Sequence, residues 1–184
     1  MKQYLISILL IGAGLSLQAQ TATFTVTDSI CSIGYDLLLD GVELTRIAPC
    51  AYEAPQIQPG QTIHTLSVST NGTAANNTVT TLDLVNIQRG LLFDFDSGLH
   101  AYLSDWDGDG VISTEDLIGL RDHMLGIVIE PARYHVIMEG QDIPTIDPFD
   151  IQADFSTLEV AFSDFDPSTL TMAIKVLRIG DLDY

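Results

Sequence analysis

Basic residues are scarce: 7 Lys plus Arg stand against 25 Asp plus Glu in 184 residues, a formal net charge of −18. A nucleic-acid binder needs a basic surface to displace counterions, so phosphate repels a chain this acidic and nucleic acid is excluded as a direct partner. Anionic membrane surfaces are excluded for the same reason. Past the N-terminal leader no apolar run approaches the ~18 residues that span a bilayer, so no membrane insertion is expected once the leader is removed. Catalytic signatures are absent as well: there is no GxSxG, HExxH or P-loop. His64, His100, His123 and His135 fall in separate segments without metal-ligand spacing. The acid pairs Asp94/Asp96 and Asp164/Asp166 alternate with Phe95 and Phe165, which reads as aromatic packing in a strand or turn and not as a pair of acid catalysts. No enzyme is expected. What is present is 46% hydrophobic residues, enough to bury a core.

Part of that apolar content is an address. Met1-Lys2 gives a positive start, residues 4–17 form an apolar run, and Leu17-Gln18-Ala19 resembles a cleavage box, so residues 1–19 read as a signal peptide; a short membrane anchor is the competing reading. Export implies a secreted, cell-surface or periplasmic location. In such an oxidising compartment a bridge between Cys31 and Cys50 would stabilise by about 3 kcal/mol, and two buried thiols are the alternative. No CxxC and no matching His pair suggests zinc.

Texture divides the remainder. Residues 20–70 read as a small β unit: TATFTVT alternates Phe24 and Val26 with Thr, Asp40-Gly41 sits between two apolar arms as a hairpin turn, and TIHTLSVS is a further strand. Around residues 69–78 the composition shifts to Asn, Gly and Thr, the marks of a loop. Helical spacing follows: Leu84, Ile87 and Leu91 recur on one face, widened by Val85 and Leu92. TLDLVNIQRGLL and TEDLIGLRDHML align at a constant offset, with Thr81/Thr114, Asp83/Asp116, Leu84/Leu117 and Leu92/Leu125 identical, an internal duplication. Gly126 stands where the second helix would stop. Residues 131–184 return to strand texture in YHVIM, STLEVAF and TMAIKVLRI, though order alone does not say which sheet they join.

The sharpest motif is DWDGDGVISTED, residues 105–116. Calcium takes six to eight hard oxygens, and a twelve-residue loop supplies them from positions 1, 3, 5, 7, 9 and 12. Asp105, Asp107 and Asp109 would give carboxylates, Val111 its carbonyl, Ser113 a hydroxyl or bridging water, and Asp116 the closing carboxylate. Gly110 occupies the sharp turn at position 6, and Ile112 would tie the loop to the core. Asp116 replaces the usual Glu, so the loop must close tighter or accept one oxygen instead of two. Magnesium suits this multi-carboxylate cage less well. The same frame laid on the first copy finds Gly72, Ala74 and Asn76 in place of the carboxylates and Asn77 at the turn position, with Asn76 and Asp83 left as possible oxygens, so one Ca2+ is expected and not two. There Val79 would pack as Ile112 does, and Thr80 or Thr81 would cap the helix.

A duplicated calcium-loop-plus-helix unit with Asp at the twelfth position resembles a type I dockerin domain. With the closing KVLRIGDLDY, the stretch from Asn71 to Tyr184 is similar to the dockerin-like C-terminal region of secreted Bacteroidetes-type surface proteins. The resemblance implies an α+β fold in which an F-hand-like helix pair over residues 71–130, lacking the entering helix of a full EF-hand, is flanked by small N- and C-terminal β units. It further implies a cohesin-like protein partner, read by Thr114, Glu115 and Arg121 in the second copy and by Thr81, Leu82, Gln88 and Arg89 in the first. Solvated helix charges are the other reading of Arg121 and Arg89. Trp106 is expected to be a packing or surface residue and not a ligand-stacking one. The function expected is a non-catalytic exported docking module; the alternative is an adhesive or glycan-binding β protein in which calcium is structural.

Overall fold

A computed structural model describes residues 21–27, 34–54, 63–70, 79–141, 143, 146–161 and 170–182. The signal-peptide reading, Cys31 and residues 72–78 of the degenerate first loop lie outside these residues. Among the described residues the strands are β1 (Ala22–Val26), β2 (Tyr35–Leu39), β3 (Val42–Glu43), β4 (Thr45–Ala48), β5 (Ala51–Glu53), β6 (Ile63–Thr70), β7 (Tyr134–Met138), β8 (Thr157–Ala161) and β9 (Leu170–Arg178). Between β6 and β7 lie three short helices, α1 (Thr81–Leu92), α2 (Gly98–Ser104) and α3 (Thr114–Met124).

The strands form two sheets in the orders β4-β5-β1-β9-β7 and β3-β2-β6-β8. The Asp40-Gly41 turn joins β2 to β3 with Leu39 opposite Val42. Both turn residues have positive φ, 51° and 78°, the conformation that lets a two-residue turn follow the twist of its strands. The Asp40 carboxylate accepts from Thr65 N at 2.8 Å and is bonded to His64 Nδ1 at 2.5 Å, which fastens the turn to β6.

Strands far apart in the sequence meet in one sheet. β1 runs parallel to β9, with Val26 beside Ile174, and β6 from the first half pairs with β8 from the second. This corrects the expected α+β helix pair flanked by small β units: the molecule is mostly β, and both flanks build the same two-sheet sandwich. Its core holds Phe24, Val26, Leu37, Leu66, Val136, Val160, Ile174 and Val176, all at or below 2% exposure. The local texture of TATFTVT or TMAIKVLRI reports strand; it carries no record of a partner on the far side of the chain.

A second core lies on the outer face of the five-stranded sheet. Side chains alternate along a strand, so Ile174 and Val176 face the sandwich interior while Leu177 and Ile179 point the other way, into a cluster with Ile87, Leu99, Leu103, Trp106, Ile112 and Leu120. β7 divides likewise, with Val136 inward and Ile137 toward the helices. Burial on both faces is why these segments read as nearly continuous apolar runs.

The duplicated helices keep a shared start. Thr80 caps α1 and Ser113 caps α3, each in a reciprocal capping box with the Asp three residues on, satisfying donors that a helix start leaves open. Both aspartates are fully buried. Asp83 Oδ1 also accepts from Leu182 N at 2.7 Å, so the first copy holds the closing segment of the chain. α2 corrects the resemblance further. It runs into the acidic loop with Asp105 as its C-cap, so the loop does have an entering helix.

Ile174 is fully buried where β1, β9 and the facing sheet meet. Ile174→Ala is expected to lower unfolding free energy by about 2–5 kcal/mol, measured by denaturant titration; a change below about 0.5 kcal/mol would contradict this core assignment.

Candidate metal centre

The acidic loop starts at the last turn of α2 and ends in the first turn of α3. Asp105, Asp107 and Asp109 converge: one oxygen from each lies within 4.8 Å of the others. Asp105 is nearly buried, while Asp107 and Asp109 are exposed. Backbone amides hold the three in place. Asp105 accepts from Gly108 N at 2.8 Å and Gly110 N at 3.1 Å, Asp107 from Asp109 N at 3.0 Å, and Asp109 from Val111 N at 2.8 Å. An ionised carboxylate offers about four lone-pair sites, so the amides leave acceptor capacity on each. Gly108 and Gly110 turn with φ of 79° and 85°, where a side chain would be strained. Clustered carboxylates with spare oxygens fit a metal ion, and these residues could hold one.

Asp116 closes the loop from the other end. Its Oδ1 accepts from Trp106 N at 2.7 Å and Asp107 N at 3.2 Å, and its Oδ2 from Ser113 N at 2.7 Å. Burial pushes its carboxyl above the ordinary carboxylate range and the Asp107 charge adds to that push, against the donors Ser113, Asp107 and Trp106. Ser113 Oγ is taken by Glu115 N at 3.0 Å. Val111 is exposed, and Ile112 is 1% exposed in the helical core.

Trp106 locks the loop to the body. It is 5% exposed, and its ring fills the space beside two glycines. A Cβ on Gly119 would lie 2.6 Å from Trp106 Cδ1, and one on Gly180 2.8 Å from Cζ3. These close approaches account for a glycine inside α3, where it would otherwise weaken the helix. Val79, from the first copy, joins the same core as Ile112.

Sequence reasoning did not find the neighbours of this loop. A cleft of about 320 Å³ beside it is lined by Asp105, Asp109, Tyr102, Arg133, His135 and Asp154, among others. Arg133 Nη2 donates to Asp105 O at 3.3 Å. Tyr102 Oη is bonded to His135 Nδ1 at 2.9 Å and accepts from Phe155 N at 3.3 Å. One signal was available, since Arg133 is among only seven basic residues. The second unforeseen contact is with residues 148–151. Ile112 N donates to Pro148 O at 2.7 Å, and Ile151 N to Gly110 O at 2.8 Å.

The residues expected to read a partner are placed on α1 and α3, which pack on each other. Thr81, Leu82, Gln88, Arg89, Thr114, Glu115 and Arg121 are all exposed. Arg89 pairs with Asp96 at 2.7 Å and Arg121 with Asp122 at 2.6 Å, surface pairs worth about 0–1 kcal/mol. Val85 and Leu92, which the helical spacing assigned to the packed stripe, are instead 56% and 66% exposed. Cys50 is disulfide-bonded, and Cys31 lies outside the described residues. A larger cleft of about 480 Å³ between the sheets is lined by Tyr35 and Tyr52, but both are nearly buried and offer no open ring face for a sugar. Comparisons with protein-family models, curated proteins and solved structures return no match to this chain.

Gly119→Ala, which would stabilise an ordinary exposed helix by up to about 1 kcal/mol, is expected here to destabilise by about 1–3 kcal/mol through the clash with Trp106; an unchanged or raised melting temperature would contradict the packing. A second expectation concerns pH. Burial chiefly, then Arg133, holds His135 below the ordinary imidazole value, and burial with Arg178 does the same for His123. A histidine kept neutral by the fold gives its full contribution above the unfolded value near 6.5 and loses it as pH falls. Between pH 7.5 and 5.5, at fixed cation concentration, the wild type should therefore lose stability relative to His135→Phe, measured by thermal denaturation at each pH; parallel curves would contradict it.

Proposed function

We propose that this chain is an exported, non-catalytic module whose loop at residues 105–116 takes Ca2+ and which docks onto another extracellular protein. The observation that carries the docking reading is the exposure of apolar side chains at matching positions of the two copies. Val85 and Ile118 correspond and are 56% and 48% exposed; Leu92 and Leu125 correspond and are both 66% exposed. A single exposed leucine is ordinary. A set matched at equivalent positions of two packed helices is apolar exposure of the kind that partners cover. Leu82 at 53% and Phe93 at 82% extend it. A partner of the cohesin type is the reading that the dockerin resemblance favours.

Calcium is the finer reading of the metal centre. The donors are hard oxygens with no nitrogen or sulfur among them, which disfavours zinc and copper. Magnesium demands near-ideal octahedral geometry and sheds its waters reluctantly, whereas calcium accepts a mixed shell of carboxylates, a carbonyl and water. Bound only by the folded loop, the ion would stabilise by about 2.7 kcal/mol at a hundredfold excess over Kd. Its role is to fix the loop and thereby the angle between α2 and α3.

Chelator is expected to lower the melting temperature by several degrees, and Asp105→Ala to remove that dependence. A melting curve indifferent to chelator would sink the calcium reading. For docking, the Leu92→Glu/Leu125→Glu double variant should keep the wild-type melting temperature and lose calcium-dependent capture of a protein from an extracellular extract. Capture that persists in the variant would contradict the proposed face, and retention of the wild type on polysaccharide without protein capture would favour the adhesive reading.

A further inference from the structure

Val111 C=O and Ile112 N–H belong to one trans peptide unit, so they point in opposite directions. Ile112 N donates to Pro148 O at 2.7 Å. The Val111 carbonyl, position 7 of the loop, is thereby turned from residues 148–151 toward the side that the loop spacing gives to the cation. The preceding unit divides the same way. Val111 N donates to Asp109 Oδ1 at 2.8 Å, while Gly110 O accepts from Ile151 N at 2.8 Å. Two successive peptide planes thus face the acids on one side and residues 148–151 on the other. We propose that cation binding in the loop and docking of residues 146–156 are one event, which makes this segment a cation-controlled strap over the helical core. The inference rests on the cation reading above and adds to it a regulated element.

Three observations support the coupling. First, among the described residues the two bonds from Gly110 and Ile112 are the hydrogen bonds that tie residues 146–152 to the rest of the molecule. Second, the other end has an anchor independent of the loop: Phe155 O accepts from Val136 N at 3.0 Å, and the Phe155 ring meets Tyr102 edge-on at 4.7 Å. That end is a hinge. Third, the strap carries exposed Asp147, Asp150 and Asp154, and Asp154 lines the same cleft as Asp105 and Asp109. Arg133 lines that cleft too, so without a bound ion the charges of Asp105, Asp109 and Asp154 are only partly offset. Against release stands the apolar contact of Ile146, 7% exposed, with half-buried Ile151 and Ala153 on the helical core.

The test is hydrogen exchange of the full chain in millimolar Ca2+ and in chelator, read by mass spectrometry, with calcium binding measured separately by calorimetry. Chelation is expected to speed exchange of the amides in residues 110–112 and 146–152 by about tenfold or more, and to leave β1 and β9 unchanged. If calcium binds but the strap exchanges at the same rate in chelator, the coupling is overturned and the cation reading stands. If exchange rises equally in β1 and β9, the coupling is also overturned, because the ion would then hold the whole fold. If calorimetry shows no binding, both readings fall.

Discussion

Three carboxylates whose oxygens lie within 4.8 Å of one another set the central constraint. Like charges at that separation repel, by about 1 kcal/mol per pair in water and more near a protein surface, yet the sequence spends backbone amides and two left-handed glycines to hold them together. A divalent cation bound there would turn that repulsion into attraction. The elements around the loop meet at it: α2 delivers Asp105, the first turn of α3 carries Asp116, Trp106 plugs the space between α3 and the end of β9, and residues 148–151 lie along its outer side.

The loop would be a tether without a body, and β9 supplies one. Its residues pack alternately into the sandwich core and into the helical core, so a single strand transmits the position of the helices to the sheet. Asp83 completes the attachment through Leu182. The two copies of the helix thus use the same buried aspartate in different ways: one closes the acidic loop, and the other pins the closing segment of the chain. That divergence explains how the first copy keeps its capping aspartate without the carboxylates of a loop.

Features encoded over a few residues were legible in the sequence. The Asp40-Gly41 hairpin, the duplicated helices and the twelve-residue acid spacing each declare themselves locally, because turn chemistry, capping and ligand spacing act over a handful of positions. What was not legible depends on residues far apart. The pairing of β1 with β9 brings the chain's two flanks into one sheet, and alternation alone cannot name a strand's partner. The helical spacing placed Val85 and Leu92 on the packed stripe; periodicity marks which residues share a face, but not how much of that face the body covers. SGLHAYLS is too short for its periodicity to announce α2. The contact of Ile112 with Pro148 is a backbone bond, to which side-chain identity is almost blind.

A cation bound by the acidic loop would lie close to Trp106. A terbium titration with excitation of that indole tests this directly, because energy transfer requires the lanthanide to sit within a few ångströms of the ring. Sensitised emission that saturates at one ion per chain and is reversed by calcium, but not by equal magnesium, is the predicted result. An absence of sensitised emission from the folded chain would contradict it.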